Sequence, residues 1–176
     1  MKTIVLIGYR CTGKTTVGKK LAERLGCPFM DTDERIVSKE GKTVAEIVSE
    51  GGWPLFRQGE REVLAAVDGS EHMVLATGGG IIESVENREQ LHKMGLVVWL
   101  TAPPDVIEQR LVADENTAEG RPPLSGLDRP VEIEETLARR EPLYKETAHL
   151  VVDSAGQSIQ DMVEEILKRR NHKETG

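Results

Sequence analysis

Residues 4–16, Ile4-Val5-Leu6-Ile7-Gly8-Tyr9-Arg10-Cys11-Thr12-Gly13-Lys14-Thr15-Thr16, constrain the fold more than any other stretch of the chain. A short apolar run with the character of a buried strand breaks at a glycine. A tight loop follows, and Lys14-Thr15-Thr16 opens a segment in which Val17, Leu21 and Leu25 recur at helical spacing. The spacing from Gly8 to Thr15 fits the phosphate-binding pattern G-x-x-x-x-G-K-[ST], the P-loop. Its chemistry explains its residue types. A polyphosphate needs many donors and little steric obstruction. Glycines let successive backbone N–H groups point inward, and the helix that follows adds its unpaired N–H groups and the positive end of its dipole. Lys14 can reach β- and γ-phosphate oxygens, and the Thr15 hydroxyl can ligate Mg²⁺, a hard cation that takes oxygen ligands. Cys11, Thr12, Gly13, Lys14, Thr15 and Thr16 are therefore the expected ATP-binding set, with Mg²⁺ as cofactor.

An anionic ligand would be bound here against the overall charge. The chain carries a net charge of −7 across 176 residues, so local arginines must do the capturing. The same acidity argues against a general nucleic-acid or anionic-membrane binder. With 38% hydrophobic and 30% charged residues the composition is that of a globular domain, read as one domain over 1–176. The first strand follows directly on Met1-Lys2, and there is no cleavable signal pattern or long apolar segment. The expected location is cytoplasmic, with no membrane partner and a monomeric state. Cys11 and Cys27 make neither a metal motif nor a disulfide framework, and His72, His92, His149 and His172 are scattered, which argues against a structural zinc site.

Along the chain, a helix is predicted from Lys14 to Leu25 with Gly26 as its cap. A short strand Pro28-Phe29-Met30 ends at Asp31-Thr32-Asp33, with a helix after it. Thr43 and Glu46 form a capping box, Gly51-Gly52 ends that helix, and the pattern from Trp53 to Val67 is again helical. Strands are predicted at 72–76, 96–100 and 149–152. Helices are predicted from Ser84 to Met94, Asp105 to Leu111, Val131 to Tyr144 and Ser158 to Arg170, with fraying over 171–176. Ala113 to Pro130 has little periodicity and holds Gly120, Pro122, Pro123 and Gly126; it reads as a mobile lid at about 112–128. Apolar strands alternating with helices imply an α/β three-layer sandwich, a five-stranded parallel sheet covered on both faces. Ligands in such folds bind at the carboxyl ends of strands.

Those ends carry the chemistry. The second strand ends in Asp31 and Asp33, which share a face if the chain is extended. Asp31 can hold Mg²⁺ and Asp33 can accept a proton from an acceptor hydroxyl; the same triplet also reads as a helix N-cap. The third strand ends in Gly78-Gly79-Gly80, a backbone surface open to close approach by a ligand. Arg57, Arg121 and Arg140 are candidates for bidentate binding of carboxylate or phosphate.

The ordered set of P-loop, Asp31-Thr32-Asp33, Phe56-Arg57 with Glu60, Gly78-Gly79-Gly80, Arg121-Pro122 and Arg140 before Pro142-Leu143-Tyr144 resembles the shikimate kinases over nearly the whole length. The resemblance implies a P-loop kinase that moves the ATP γ-phosphoryl group to the 3-hydroxyl of shikimate, on the route to chorismate and the aromatic amino acids. It assigns Arg57 and Arg140 to the substrate carboxylate, Asp33 to the ring hydroxyls as base, and Gly78, Gly79 and Gly80 to backbone donation. Lys14, Thr15 and Asp31 serve phosphates and Mg²⁺, Arg121 enters with the lid, and Gln157 falls at the adenine side. Cys11 departs from the family's frequent glycine, and Arg121-Pro122-Pro123-Leu124 departs from a more familiar Arg-Pro-Leu-Leu. Other small-molecule P-loop kinases, such as gluconate and nucleoside-monophosphate kinases, share the loop and lid but lack the joint Asp-x-Asp, Phe-Arg and triple-glycine set.

Overall fold

The computed structural model describes residues 3–67, 72–114 and 122–174. Among these, five strands form one sheet: β1 (Thr3–Ile7), β2 (Phe29–Asp31), β3 (Val74–Ala76), β4 (Gly95–Thr101) and β5 (Leu150–Asp153). Their order is β2-β3-β1-β4-β5, and every neighbouring pair is parallel. Parallel neighbours need crossovers. The helices are α1 (Lys14–Leu25), α2 (Thr32–Glu40), α3 (Val44–Ala65), α4 (Val85–Met94), α5 (Pro104–Ala113), α6 (Arg129–Thr147) and α7 (Ile159–Glu174), with one 3₁₀ turn at Ile81–Glu83.

The central strand shows why the apolar run does not alternate with polar residues. All five residues of β1 are fully buried. Ile4 and Leu6 pack on one face with Val17 and Leu21 of α1 and Val163 and Ile166 of α7. Val5 and Ile7 pack on the other with Leu64 of α3, Leu91 of α4 and Tyr144 of α6. Successive side chains point to opposite faces, so a strand covered on both sides must be apolar throughout. Each such aliphatic side chain contributes roughly 1.5–3 kcal/mol, against about 0–1 kcal/mol for a surface ion pair. The core therefore fixes the sheet, and the sheet fixes the loops.

The site follows from one topological fact: β3 lies between β1 and β2. Ile4 and Phe29 both pair in register with Val74, while Leu6 and Asp31 both pair with Ala76. The carboxyl ends of β2, β3 and β1 thus stand side by side, bringing Asp31-Thr32-Asp33, Thr77-Gly78-Gly79-Gly80 and the P-loop to one edge.

Most local signals act as expected. Gly26 caps α1 in the left-handed conformation at φ 62. Thr43 and Glu46 close their capping box, with Glu46 N–H donating to Thr43 Oγ1 (3.2 Å) and Thr43 N–H to Glu46 Oε2 (2.7 Å). Gly51-Gly52 ends the capped helix as expected: within α3 the chain leaves helical geometry at Gly52 (φ 69, ψ −176) and a second helical stretch resumes around Pro54. Two stretches differ. Strand β3 is confined to Val74–Ala76. The last helix, expected to fray from Asn171, continues to Glu174. No helix among the described residues is long and apolar enough to cross a membrane.

Candidate active site

The donor end is backbone architecture. Gly8 has φ 142, and a Cβ there would run into the Leu100 carbonyl of β4, so the loop leaves the sheet where only glycine fits. Gly13 precedes α1 at φ 89 and no side chain caps the helix, so its first-turn N–H groups serve the loop. Lys14 Nζ (2.6 Å) and Thr12 Oγ1 (2.8 Å) both donate to the Tyr9 carbonyl. From outside, Arg110 of α5 donates to the Cys11 carbonyl (3.2 Å) and to Ser154 at the end of β5 (Oγ 3.0 Å, O 2.6 Å). Cys11 takes φ 61, a left-handed value uncommon outside glycine.

A cavity of about 310 Å³ opens over this loop, lined by Cys11, Gly13, Lys14, Thr15 and Thr16, with Arg10, Asp31, Asp33, Thr77 and Asp114 completing the wall. Thr12 is buried and turned inward as a brace. Gln157 does not line it; its amide reaches Glu165 at 3.5 Å in the segment between β5 and α7. Arg121 and part of the expected lid lie outside the described residues.

Thr15 and Asp31 meet: the Thr15 hydroxyl donates to Asp31 Oδ2 at 2.8 Å. The expectation that Asp31 and Asp33 share an extended face is corrected. Asp31 is extended, but it is the N-cap of α2, and its Oδ1 accepts the Asp33 N–H at 3.0 Å. Asp33 is already helical. Both carboxylates still border one cavity, because a cap and its first helical turn converge there. Thr32, between them, accepts the Gly78 N–H at 2.9 Å and ties the second strand end to the third.

The other end of the site is built from ion-paired side chains. Arg57, on α3, donates through NH1 to Glu60 Oε2 (2.6 Å), and its Nε lies 3.4 Å from Glu83 Oε2. Arg140, on α6, donates through Nε to Glu83 Oε1 at 2.9 Å. Glu83, from the 3₁₀ turn, thus ties together two guanidiniums from distant helices. Arg140 and Glu60 are buried, which fixes the geometry and makes the charges matter. A Cβ on Gly78 would stand 2.5 Å from both Asp33 Oδ1 and Glu60 Oε1, and one on Gly80 would overlap the Arg57 guanidinium. The triple glycine is therefore a floor over which charged groups lie. Tyr144 donates to the Gly79 carbonyl and secures that floor from below.

Burial pushes the Glu60 carboxyl up to about 7; Arg57 opposes the rise and the Asp33 charge adds to it. Burial likewise raises Tyr144, which keeps its proton as a donor. A small cavity of about 40 Å³ is bordered by Asp33, Arg57, Gly79, Gly80 and Arg140. Its roof is Leu124, held by the Trp53 Nε1 bond to the Pro123 carbonyl (3.2 Å). Ordinary ligand pockets measure about 300–1,000 Å³, so this one is narrow.

Sequence reasoning placed Asp33, Arg57, Gly78, Gly79, Gly80 and Arg140, and the structure gathers all six. It missed Glu83, Arg10 and Glu132. Only Glu83's position just after the triple glycine pointed toward it.

The shikimate kinase profile matches residues 10–171. The chain belongs to the shikimate kinase family. It is 41% identical to the shikimate kinase of Syntrophus aciditrophicus, covering 96% of this chain and 90% of that protein. It is 44% identical to the enzyme of Oleidesulfovibrio alaskensis over 88% and 89% of the two chains. The fold superposes on the Acinetobacter baumannii shikimate kinase, solved in complex with shikimate, with a TM-score of 0.88 at 36% identity, covering 96% and 92% of the chains. Family membership and the paired arginines beside a P-loop thus agree.

Proposed function

We propose that this chain transfers the γ-phosphoryl group of ATP to the 3-hydroxyl of shikimate, giving shikimate 3-phosphate and ADP. The carrying observation is the Arg57–Glu83–Arg140 assembly beside Asp33, adjoining a P-loop cavity, in a chain of this family. Two guanidiniums at one narrow cavity suit a small carboxylated ring, and arginine offers a carboxylate paired donors at fixed geometry.

In this reading Lys14 and the α1 N-terminus hold the phosphates, with Cys11, Thr12, Gly13, Thr15 and Thr16 shaping the loop. Arg57 and Arg140 orient the substrate carboxylate, and Gly79 and Gly80 present the backbone beneath the ring. Asp33 takes the proton of the acceptor hydroxyl while its oxygen bonds to phosphorus and the bond from phosphorus to the ADP oxygen breaks. Such chemistry asks the protein for positioning and charge more than for covalent participation. The Thr15 hydroxyl and the Asp31 carboxylate are hard oxygen donors side by side, which fits Mg²⁺ held by one or two protein oxygens with phosphates completing its shell. Mg²⁺ supplies neutralisation of phosphate charge when bound.

We assign Arg121 to the moving phosphoryl group and Gln157 to the adenine side, and we take residues 112–128 as a lid on one domain spanning 1–176. The narrow 40 Å³ acceptor cavity beside Leu124 supports an arm that moves to admit substrate. Lid closure excludes water, which would otherwise consume ATP. We place the enzyme in the cytoplasm as a monomer. A coupled ADP-release assay with Mg-ATP tests the reading. Turnover with shikimate and none with gluconate or nucleoside monophosphates is expected; no turnover with shikimate overturns it.

A further inference from the structure

We infer that Arg10 contacts the phosphoryl group in transit, and that Glu132 holds it ready in concert with the arm that roofs the acceptor cavity. The inference deepens the phosphoryl-transfer reading and rests on it. The P-loop pattern leaves this position unspecified, so nothing in the motif demands a cation there.

Its placement does. Among the described residues, Arg10 and Asp33 are the two that border both the phosphate cavity and the acceptor cavity. A group passing from one to the other crosses the seam between them, where Asp33 supplies the base. Arg10 supplies positive charge at the same seam, and a phosphoryl group spreads negative charge over its outer oxygens as it moves.

The guanidinium is set rather than loose. Its side chain is 12% exposed, and NH2 donates to Glu132 Oε1 at 2.5 Å. It lies 5.7 Å from the centroid of the Tyr9 ring. Its Nε is buried and makes no hydrogen bond among the described residues, while the guanidinium as a whole also interacts with the buried Tyr9 hydroxyl. A buried donor without an acceptor is unfavourable, and a phosphate oxygen at the seam would satisfy it.

Arg10 is paired with Glu132, 3% exposed, on the first turn of α6. The other oxygen of Glu132 accepts from Ser125 N (2.8 Å) and Ser125 Oγ (3.3 Å). Ser125 directly follows Leu124, the roof of the acceptor cavity. One buried carboxylate thus joins the P-loop to the arm, and docking of the arm and setting of Arg10 become one event.

The test compares wild type with Arg10→Gln, Arg10→Lys, Glu132→Gln and the Arg10→Gln/Glu132→Gln double variant. Wild-type turnover of shikimate reports on the underlying reading. The Arg10 role is read by affinity for Mg-ADP with aluminium fluoride, a mimic of the moving phosphoryl group, against Mg-ADP alone. Arg10→Gln is expected to lower kcat by about 10- to 100-fold, below the full value of an arginine finger because Lys14 remains. KM values should stay within about threefold, and aluminium fluoride should lose its grip by the same factor as kcat while Mg-ADP binds unchanged. Arg10→Lys should recover part of the loss by restoring charge. The double variant should fall no further than Arg10→Gln, since Glu132 acts through Arg10. A kcat within threefold of wild type, equal weakening of both nucleotide complexes, or additive losses in the double variant would overturn the inference.

Discussion

The two ends of the site solve opposite problems by different means. The donor end is local and made of backbone: Gly8, Gly13 and an uncapped helix, all within one turn of chain. The acceptor end is non-local and made of side chains: Arg57 on α3, Glu83 on a 3₁₀ turn and Arg140 on α6. Backbone amides do not depend on side-chain chemistry and suit a ligand whose phosphates every P-loop protein shares. Guanidiniums held by carboxylates can be repositioned by substitution, and in the proposed reading they carry the choice of acceptor. The lesson is that common binding is written in conformation and selective binding in ion pairs.

Asp33→Asn tests that division most severely. It should cut turnover by at least ~100-fold, the low end for loss of acid–base catalysis, while ATP affinity stays near normal. Turnover near wild type would remove Asp33 as the base. Glu83→Gln comes next: it keeps the shape but weakens the tie between the two arginines, so KM for shikimate should rise about 10-fold with KM for ATP unchanged. A change in both would mean the two ends are not separable.

A pH measurement sharpens the same contrast. Glu60 has its proton affinity raised on folding, to about 7 from 4.5. Between those values the folded chain holds a proton that the unfolded chain has released, so stability falls as pH rises. Wild type should therefore lose about 3 kcal/mol relative to Glu60→Gln between pH 4.5 and 7. Denaturant melts of both proteins across that range check it, and parallel curves would refute a neutral buried Glu60. The smallest expected effect is at the donor end: alkylation of Cys11, which lines the phosphate cavity, should slow several-fold with Mg-ATP bound. Equal rates with and without nucleotide would place the thiol away from the phosphates.

Legibility in the sequence followed the same line. The P-loop, the Thr43–Glu46 box and the Gly26 cap were readable because cause and effect lie within a few residues. The parallel sheet was readable from its apolar strands, though not their order. Asp31 and Asp33 were found for a wrong geometric reason, since strand spacing was assumed where a helix cap intervenes. Arg10 and Glu132, 122 positions apart, were invisible as a pair because nothing in either neighbourhood names the other. The same holds for Glu83 and Arg140, 57 apart, although each stood beside a motif.

The insertion of β3 between β1 and β2 bears on how the molecule comes into being. A ribosome releases the glycine loop and the Asp31 carboxylate well before Val74 emerges. Until that later segment slots in, the two earlier strands have no partner in common and nothing fixes one beside the other. Pairings that wait on distant sequence are slow and leave edges bare to aggregation. A nascent chain halted before residue 74 should thus be blind to nucleotide despite carrying every group of its phosphate loop, and newly made protein should lean on chaperones at that stage of synthesis.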